Sequence, residues 1–177
     1  MLLSSIPPER LELGKPGEIA TLQYLDSNSA VLRVIDVRDI QLWWPKEIDF
    51  IVIYANKERT VEAKTITNNN INLPIQLYEI DFTHKNICRE GWFYTSEADV
   101  LTVYDAAAYI LHIIDFKLFR KWFEKNKKNR KLKTFERDNV VNVYALISVN
   151  DLATLANRSE KIKICPDYVP IKTTKEK

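Results

Sequence analysis

Apolar residues along the chain recur at two spacings, and the switches between them mark out the elements. Ile19, Leu22 and Leu25 lie three residues apart and predict a one-sided helix. Pro16 suits its first position and Glu18 its first turn, while "SNSA" ends it. The stretches "AVLRVIDVRD", "IDFIVIY" and "TVEAKTI" read as three strands. "WWPKE" separates the first two, because proline cannot donate to a central ladder, and "ANKER" forms the turn between the next two. "TNNNINLP" reads as a loop, and between Ile75 and Tyr94 neither period dominates, with a helix expected between Thr83 and Trp92. Strands "ADVLTVY" and "AYILHIIDF" follow. An amphipathic helix from Lys117 to about Lys128 is expected to bury Leu118 and Trp122, with Phe119 and Phe123. A basic loop leads to the strand "NVVNVYALISV", Asp151 can cap the short helix "LATLANR", and "TTKEK" reads as a disordered tail.

These elements predict an α/β fold, a mixed central β-sheet flanked by helices, in a single domain. Its expected limits are residues 16–170, between an N-terminal arm (1–15) and a tail (171–177). A chain of 177 residues is long enough for one real core and too short for two ordinary domains. The N-terminus lacks a basic leader followed by an apolar run, and no stretch approaches a membrane span, so a cytoplasmic protein without membrane contact is expected.

Composition removes several classes of chemistry. Cys88 and Cys165 form no CxxC pair, and with His84 and His112 they give no zinc spacing, so buried or half-buried free thiols are expected. Only three glycines occur and "GKPG" lacks the spacing of a phosphate-binding loop, so a nucleotide-binding enzyme of the P-loop or Rossmann kind is not expected. The net charge of +2 hides an asymmetry: residues 117–133 hold nine Lys or Arg against one Glu, on an otherwise acidic chain. Such a stripe suits a nucleic-acid backbone, with Arg120, Lys121, Lys127, Lys128, Arg130 and Lys131 as candidate DNA contacts. A solvated helix face is the plainer reading of the same charges.

The chemistry concentrates in "EIDFIVIYANKERTVEAKT". In a strand, residues two apart share a face, so Glu62 and Lys64 project together. A short polar turn folds their strand back antiparallel on the preceding one, which brings Asp49 alongside. Two carboxylates so placed repel one another, and a divalent cation removes the repulsion. A cation and an ammonium together suit phosphodiester hydrolysis, where charge develops on phosphoryl oxygens.

Asp49 followed by Glu62-Ala63-Lys64 resembles the signature of the PD-(D/E)xK nucleases, with "ID" in place of "PD". The element order from Pro16 to Phe123 resembles that restriction-endonuclease-like fold as well. The resemblance implies Mg²⁺ (or Mn²⁺) held by Asp49, Glu62 and the Ala63 carbonyl, with Lys64 activating water. It implies that Glu18 on the first helix serves a second metal position. The expected function is a Mg²⁺-dependent endonuclease hydrolysing DNA, of restriction, resolvase, homing or phage type, and a homodimer if both strands are cut. The alternative is a non-catalytic DNA-binding or protein-interaction module on the same fold, with Asp49, Glu62 and Lys64 as ordinary cross-strand pairs. A rival site of the same pattern is Asp115-Phe116-Lys117 with Asp99 and Asp105 upstream. Gln76 and Tyr78 read as loop or core residues, Trp43 and Trp44 as packing aromatics with base stacking as the other use, and both histidines as structural.

Overall fold

The computed structural model describes residues 8–67, 70–81, 86–137, 140–165 and 167–175, with the side chains of 8–13 and 137 excepted. A long helix, α1 (Pro8–Ser27), opens the fold. The meander β1 (Val31–Asp36), β2 (Phe50–Tyr54) and β3 (Glu58–Ile66) follows, with a 3₁₀ turn at Trp44–Lys46 between β1 and β2. Next come β4 (Asn72–Asp81), β5 (Asn86–Glu90), the short helix α2 (Trp92–Thr95), β6 (Val100–Asp105), β7 (Ile110–Asp115) and α3 (Phe116–Asn126). The described chain ends with β8 (Leu132–Arg137), β9 (Val140–Ser148), α4 (Val149–Leu155), β10 (Arg158–Lys161) and β11 (Thr173–Lys175).

A seven-stranded mixed sheet runs β10-β7-β6-β3-β2-β1-β11, and a four-stranded sheet runs β5-β4-β9-β8. The expected mixed α/β architecture with flanking helices is present, and the second sheet is an addition to it. β3 is central, antiparallel to β2 and parallel to β6. On one face, Leu22 and Leu25 of α1 pack on Val34, Phe50, Val52, Val61 and Ala63. On the other, Phe93, Phe116, Phe119 and Phe123 join Leu101, Val103, Leu73, Ile75 and Ala145 in one core that also binds the second sheet.

Several expected elements differ. Pro16 lies inside α1, not at its start, so residues 8–15 are helical rather than an arm. Proline removes a ladder donor, and Thr65 bridges the break: the Gly17 N–H donates to Thr65 Oγ1 (2.8 Å), which donates to the Gly14 carbonyl (3.0 Å). Asn72–Pro74, expected as loop, begin β4, and Asn86–Glu90, expected as helix, form its antiparallel partner β5. A two-strand pairing overrides weak local preference there, because β9 offers β4 a full-length partner.

Leu118 is exposed and Phe116 takes its core place, since the helix begins one residue earlier. The basic loop continues into β8, paired with β9. Ser148 rather than Asp151 caps α4, its hydroxyl oxygen accepting from the Asp151 N–H. Thr173–Lys175, expected as tail, pair in parallel with β1, and Asp26 anchors the approach by accepting from the Ile171 and Lys172 amides (2.6 and 3.0 Å). Cys88 and Cys165 are exposed rather than buried. His84 lies outside the described residues. Among the described residues no helix is long and apolar enough to cross a membrane.

Candidate active site

β2 and β3 form the antiparallel pair that the polar turn requires, with Phe50 opposite Val61. The Asp49 N–H donates to the Val61 carbonyl (2.9 Å), and Asp49 Oδ2 accepts from the Ala63 N–H (2.8 Å). Asp49 is thereby tied across the strands beside Glu62. Lys64 extends along the same face as Glu62 and its ammonium contacts the Glu62 carboxylate. The Lys64 Nζ also lies 4.7 Å from the Trp92 ring centroid and 4.0 Å from Glu47 Oε2.

Glu18 arrives from α1 because that helix docks closely on β3. A Cβ on Gly17 would stand 2.6 Å from the Lys64 carbonyl oxygen and 2.6 Å from Thr65 Oγ1, so only glycine allows the approach. One turn on, the hydroxyls of Thr21 and Thr102 share a hydrogen bond (2.8 Å), and Thr102 donates to the Glu62 carbonyl (3.3 Å). Helix, β6 and the Glu62 backbone are joined by this buried chain.

Three residues of the cluster went unnoticed in the sequence. Arg38, just beyond β1, donates from Nε and Nη2 to Asp36 (2.9 and 2.7 Å) and from Nη1 to Glu18, and its guanidinium lies 5.0 Å from the Phe50 ring centroid. Asp36 and Arg38, two apart at a strand end, were the legible signal. Glu47 had none: it precedes Asp49 in a left-handed conformation (φ 50°), which costs energy in a non-glycine residue. The Ser96 hydroxyl donates to its carbonyl (3.2 Å), fixing this strained turn.

Five carboxylates therefore face two cations. Glu62 is 2% exposed, and burial pushes its carboxyl well above the ordinary value; Lys64 opposes that shift and the nearby Asp49 adds to it. Asp49 is raised for the same reason, against Lys64 and the Ala63 N–H. Glu18 is raised by burial, with Arg38 opposing and Asp49 adding. Burial acts against Asp36 too, yet the Arg38 hydrogen bonds and charge hold it below its ordinary value. Burial likewise disfavours the Lys64 ammonium, but Glu62, Asp49 and Glu47 outweigh it and raise its pKa, so Lys64 is a fixed cation.

Among the described residues no group of three His, Cys, Asp or Glu side chains gathers at ligating geometry. What the site offers a divalent cation is a pair, Asp49 and Glu62, whose carboxyls are both raised chiefly by burial. That donor set, two hard anionic oxygen groups, is of the type that Mg²⁺ or Mn²⁺ takes.

The rival pattern disperses. Asp115 caps α3, accepting from the Leu118 N–H (2.9 Å), while Lys117 is exposed on the helix. Asp99 accepts from the Thr60 N–H (3.0 Å), and Asp105 from the Ala107 and Ala108 N–H groups (3.0 and 3.2 Å). Gln76 donates to Asn142 Oδ1 (2.6 Å) and Tyr78 stacks on Tyr94. Trp43 packs against the core; Trp44 donates from its indole to the Arg38 carbonyl (2.7 Å). His112 is buried, its Nδ1 2.9 Å from Ser159 Oγ.

The basic stripe divides into two groups. Arg120 donates to the Phe93 carbonyl (2.9 Å) and to the Ser96 carbonyl, with its guanidinium over Phe116, so it fastens α3 to α2. Arg130 donates twice to Asp151 (2.6 and 3.2 Å) and lies over Trp122. Lys127 pairs with Glu124 at the surface (2.6 Å). Lys121, Lys128 and Lys131 are exposed. Since α2 carries Trp92 over Lys64, Arg120 sets α3 in position relative to the acidic cluster. No family model, curated protein or solved structure matches the chain.

Proposed function

We propose that the chain is a Mg²⁺-dependent endonuclease that hydrolyses DNA phosphodiester bonds on a restriction-endonuclease-like fold. The observation that carries the reading is the β2–β3 pairing, which sets Asp49 beside Glu62 and points the Lys64 ammonium into the same cluster. Asp49 and Glu62 would hold the cation together with the Ala63 carbonyl. When bound, it supplies polarisation of a phosphoryl oxygen and acidification of a coordinated water.

The protein's own groups do the rest. Lys64, held as an ammonium, donates hydrogen bonds that orient the attacking water and offset the charge developing on phosphorus oxygens. In that protonation state it does not accept the water's proton. Trp92 covers the ammonium from one side and limits its approach to bulk water. The exposed lysines Lys121, Lys128 and Lys131 supply non-specific phosphate attraction. Cutting both strands of a duplex takes two such sites, which a homodimer provides.

A second reading draws on the Glu62–Lys64 contact: the charges satisfy one another, and the chain binds DNA or a protein without cutting it. Incubating the purified chain with supercoiled, linear and branched DNA, in Mg²⁺ or in EDTA, separates the two. Cleavage that needs Mg²⁺ and falls at least ~100-fold in Lys64→Ala supports the nuclease. Binding with no cleavage of any substrate refutes it in favour of the second reading.

A further inference from the structure

The resemblance to the nuclease family assigned Glu18 to a second metal position, yet its carboxylate meets the Arg38 guanidinium. We infer that Arg38 is a built-in cation occupying that position, so that the site takes one divalent ion, at Asp49 and Glu62, rather than two. The inference rests on the reading of Asp49 and Glu62 as the ion's ligands.

Three features fix Arg38 there. Asp36, whose side chain is only 5% exposed, grips it by two hydrogen bonds, and Glu18 takes a third. The Phe50 ring backs the guanidinium at 5.0 Å. Its charge is permanent, since a guanidinium does not deprotonate in proteins and both carboxylates raise its pKa further. A pair of catalytic metals stands about 3.5–4 Å apart and shares carboxylates between them. Here the second ion would need Glu18, and would meet a fixed positive charge already hydrogen-bonded to it. Arg38 also reaches Asp49 electrostatically, so it reduces the carboxylate excess that would otherwise draw in a second ion. It acts as a positioning residue on Glu18.

Mn²⁺ titration of the full chain, without DNA, followed by electron paramagnetic resonance of the free ion, tests this. Wild type should bind one Mn²⁺ per chain, Arg38→Lys one, and Arg38→Gln two. Two ions in wild type, or one in folded Arg38→Gln, overturns the inference while leaving the nuclease reading intact. No Mn²⁺ bound by wild type removes the cation site itself and this inference with it. Should Arg38→Gln fail to fold, the carboxylate variants decide. Asp49→Asn removes a ligand and should weaken Mn²⁺ by at least ~10-fold, whereas Glu18→Gln should change it less than ~3-fold. Equal losses in the two variants make Glu18 a ligand and overturn the role of Arg38.

Discussion

Replacing Gly17 by alanine sets two effects of opposite sign against each other. Inside a helix the change removes backbone freedom from the unfolded chain, which by itself stabilises by about 1 kcal/mol. No glycine of the described chain has a positive φ, so backbone strain does not oppose it. The added Cβ, however, would stand 2.6 Å from both the Lys64 carbonyl oxygen and Thr65 Oγ1, and 2.9 Å from the Lys64 carbonyl carbon. Two of those atoms are backbone in the central strand and cannot swing aside. Overpacking of this kind costs about 1–3 kcal/mol. Moving α1 outward also lengthens the Gly17–Thr65 hydrogen bond, costing about 1 kcal/mol more. The net expectation is a loss of about 1–3 kcal/mol, or roughly 2–12 °C in Tm for a chain of this size.

Gly14 is the internal control. Its Cβ would meet only Glu18 Oε1, at 3.8 Å, so alanine there should stabilise by about 0.5–1 kcal/mol. Urea unfolding of both variants beside wild type measures the two changes. Gly17→Ala should fall below wild type and Gly14→Ala rise above it. A Gly17→Ala protein as stable as Gly14→Ala would refute the close docking of α1 on β3, and with it the placement of Glu18.

The other predictions concern charge. Glu62 and Asp49 must be ionised to bind a cation, and both carboxyls are raised, so Mg²⁺ affinity should fall as pH drops through values above the ordinary carboxylate range; calorimetric affinity that stays flat down to about pH 4.5 would contradict this. With no metal, the folded state keeps the Glu62 proton longer than the unfolded chain, so this group lowers stability as pH rises through its folded value; Mg²⁺ at ~100 times its Kd should add about 2.7 kcal/mol, read as a Tm rise. Replacing Lys121, Lys128 and Lys131 by Gln should flatten the slope of log K against log salt by about two to three units and leave Tm unchanged, as DNA-binding and melting measurements will show. Arg130→Gln should behave oppositely, costing about 1–3 kcal/mol in urea because it breaks a partly buried pair with Asp151, with little change in the salt slope.

The local half of the site was legible in the sequence. Strand periodicity alone places Glu62 and Lys64 on one face, and a short polar turn alone dictates the antiparallel return that brings Asp49 across. The identities of β1, β2, β3, β6, β7 and β9 follow from the same two periods. What the sequence could not decide is what meets those residues from elsewhere in the chain. Pro16 is a helix starter by local preference and a helix interior in fact, with the hydroxyl of Thr65, 49 residues away, satisfying the Gly17 N–H and the Gly14 carbonyl on either side of it. The segment after Asn70 carries weak signals of any kind, and becomes β4 because β9 pairs with it along its length. Thr173–Lys175 join the sheet because Asp26 gathers the preceding amides beside the open edge of β1. The basic stripe shows the same limit: composition reads its six candidate contacts alike, and only packing separates Arg120 and Arg130, satisfied inside the fold, from the exposed lysines. Arg38 is the clearest instance, since a guanidinium's role depends on which carboxylates surround it, and Glu18 reaches it only through the docking of α1 on β3.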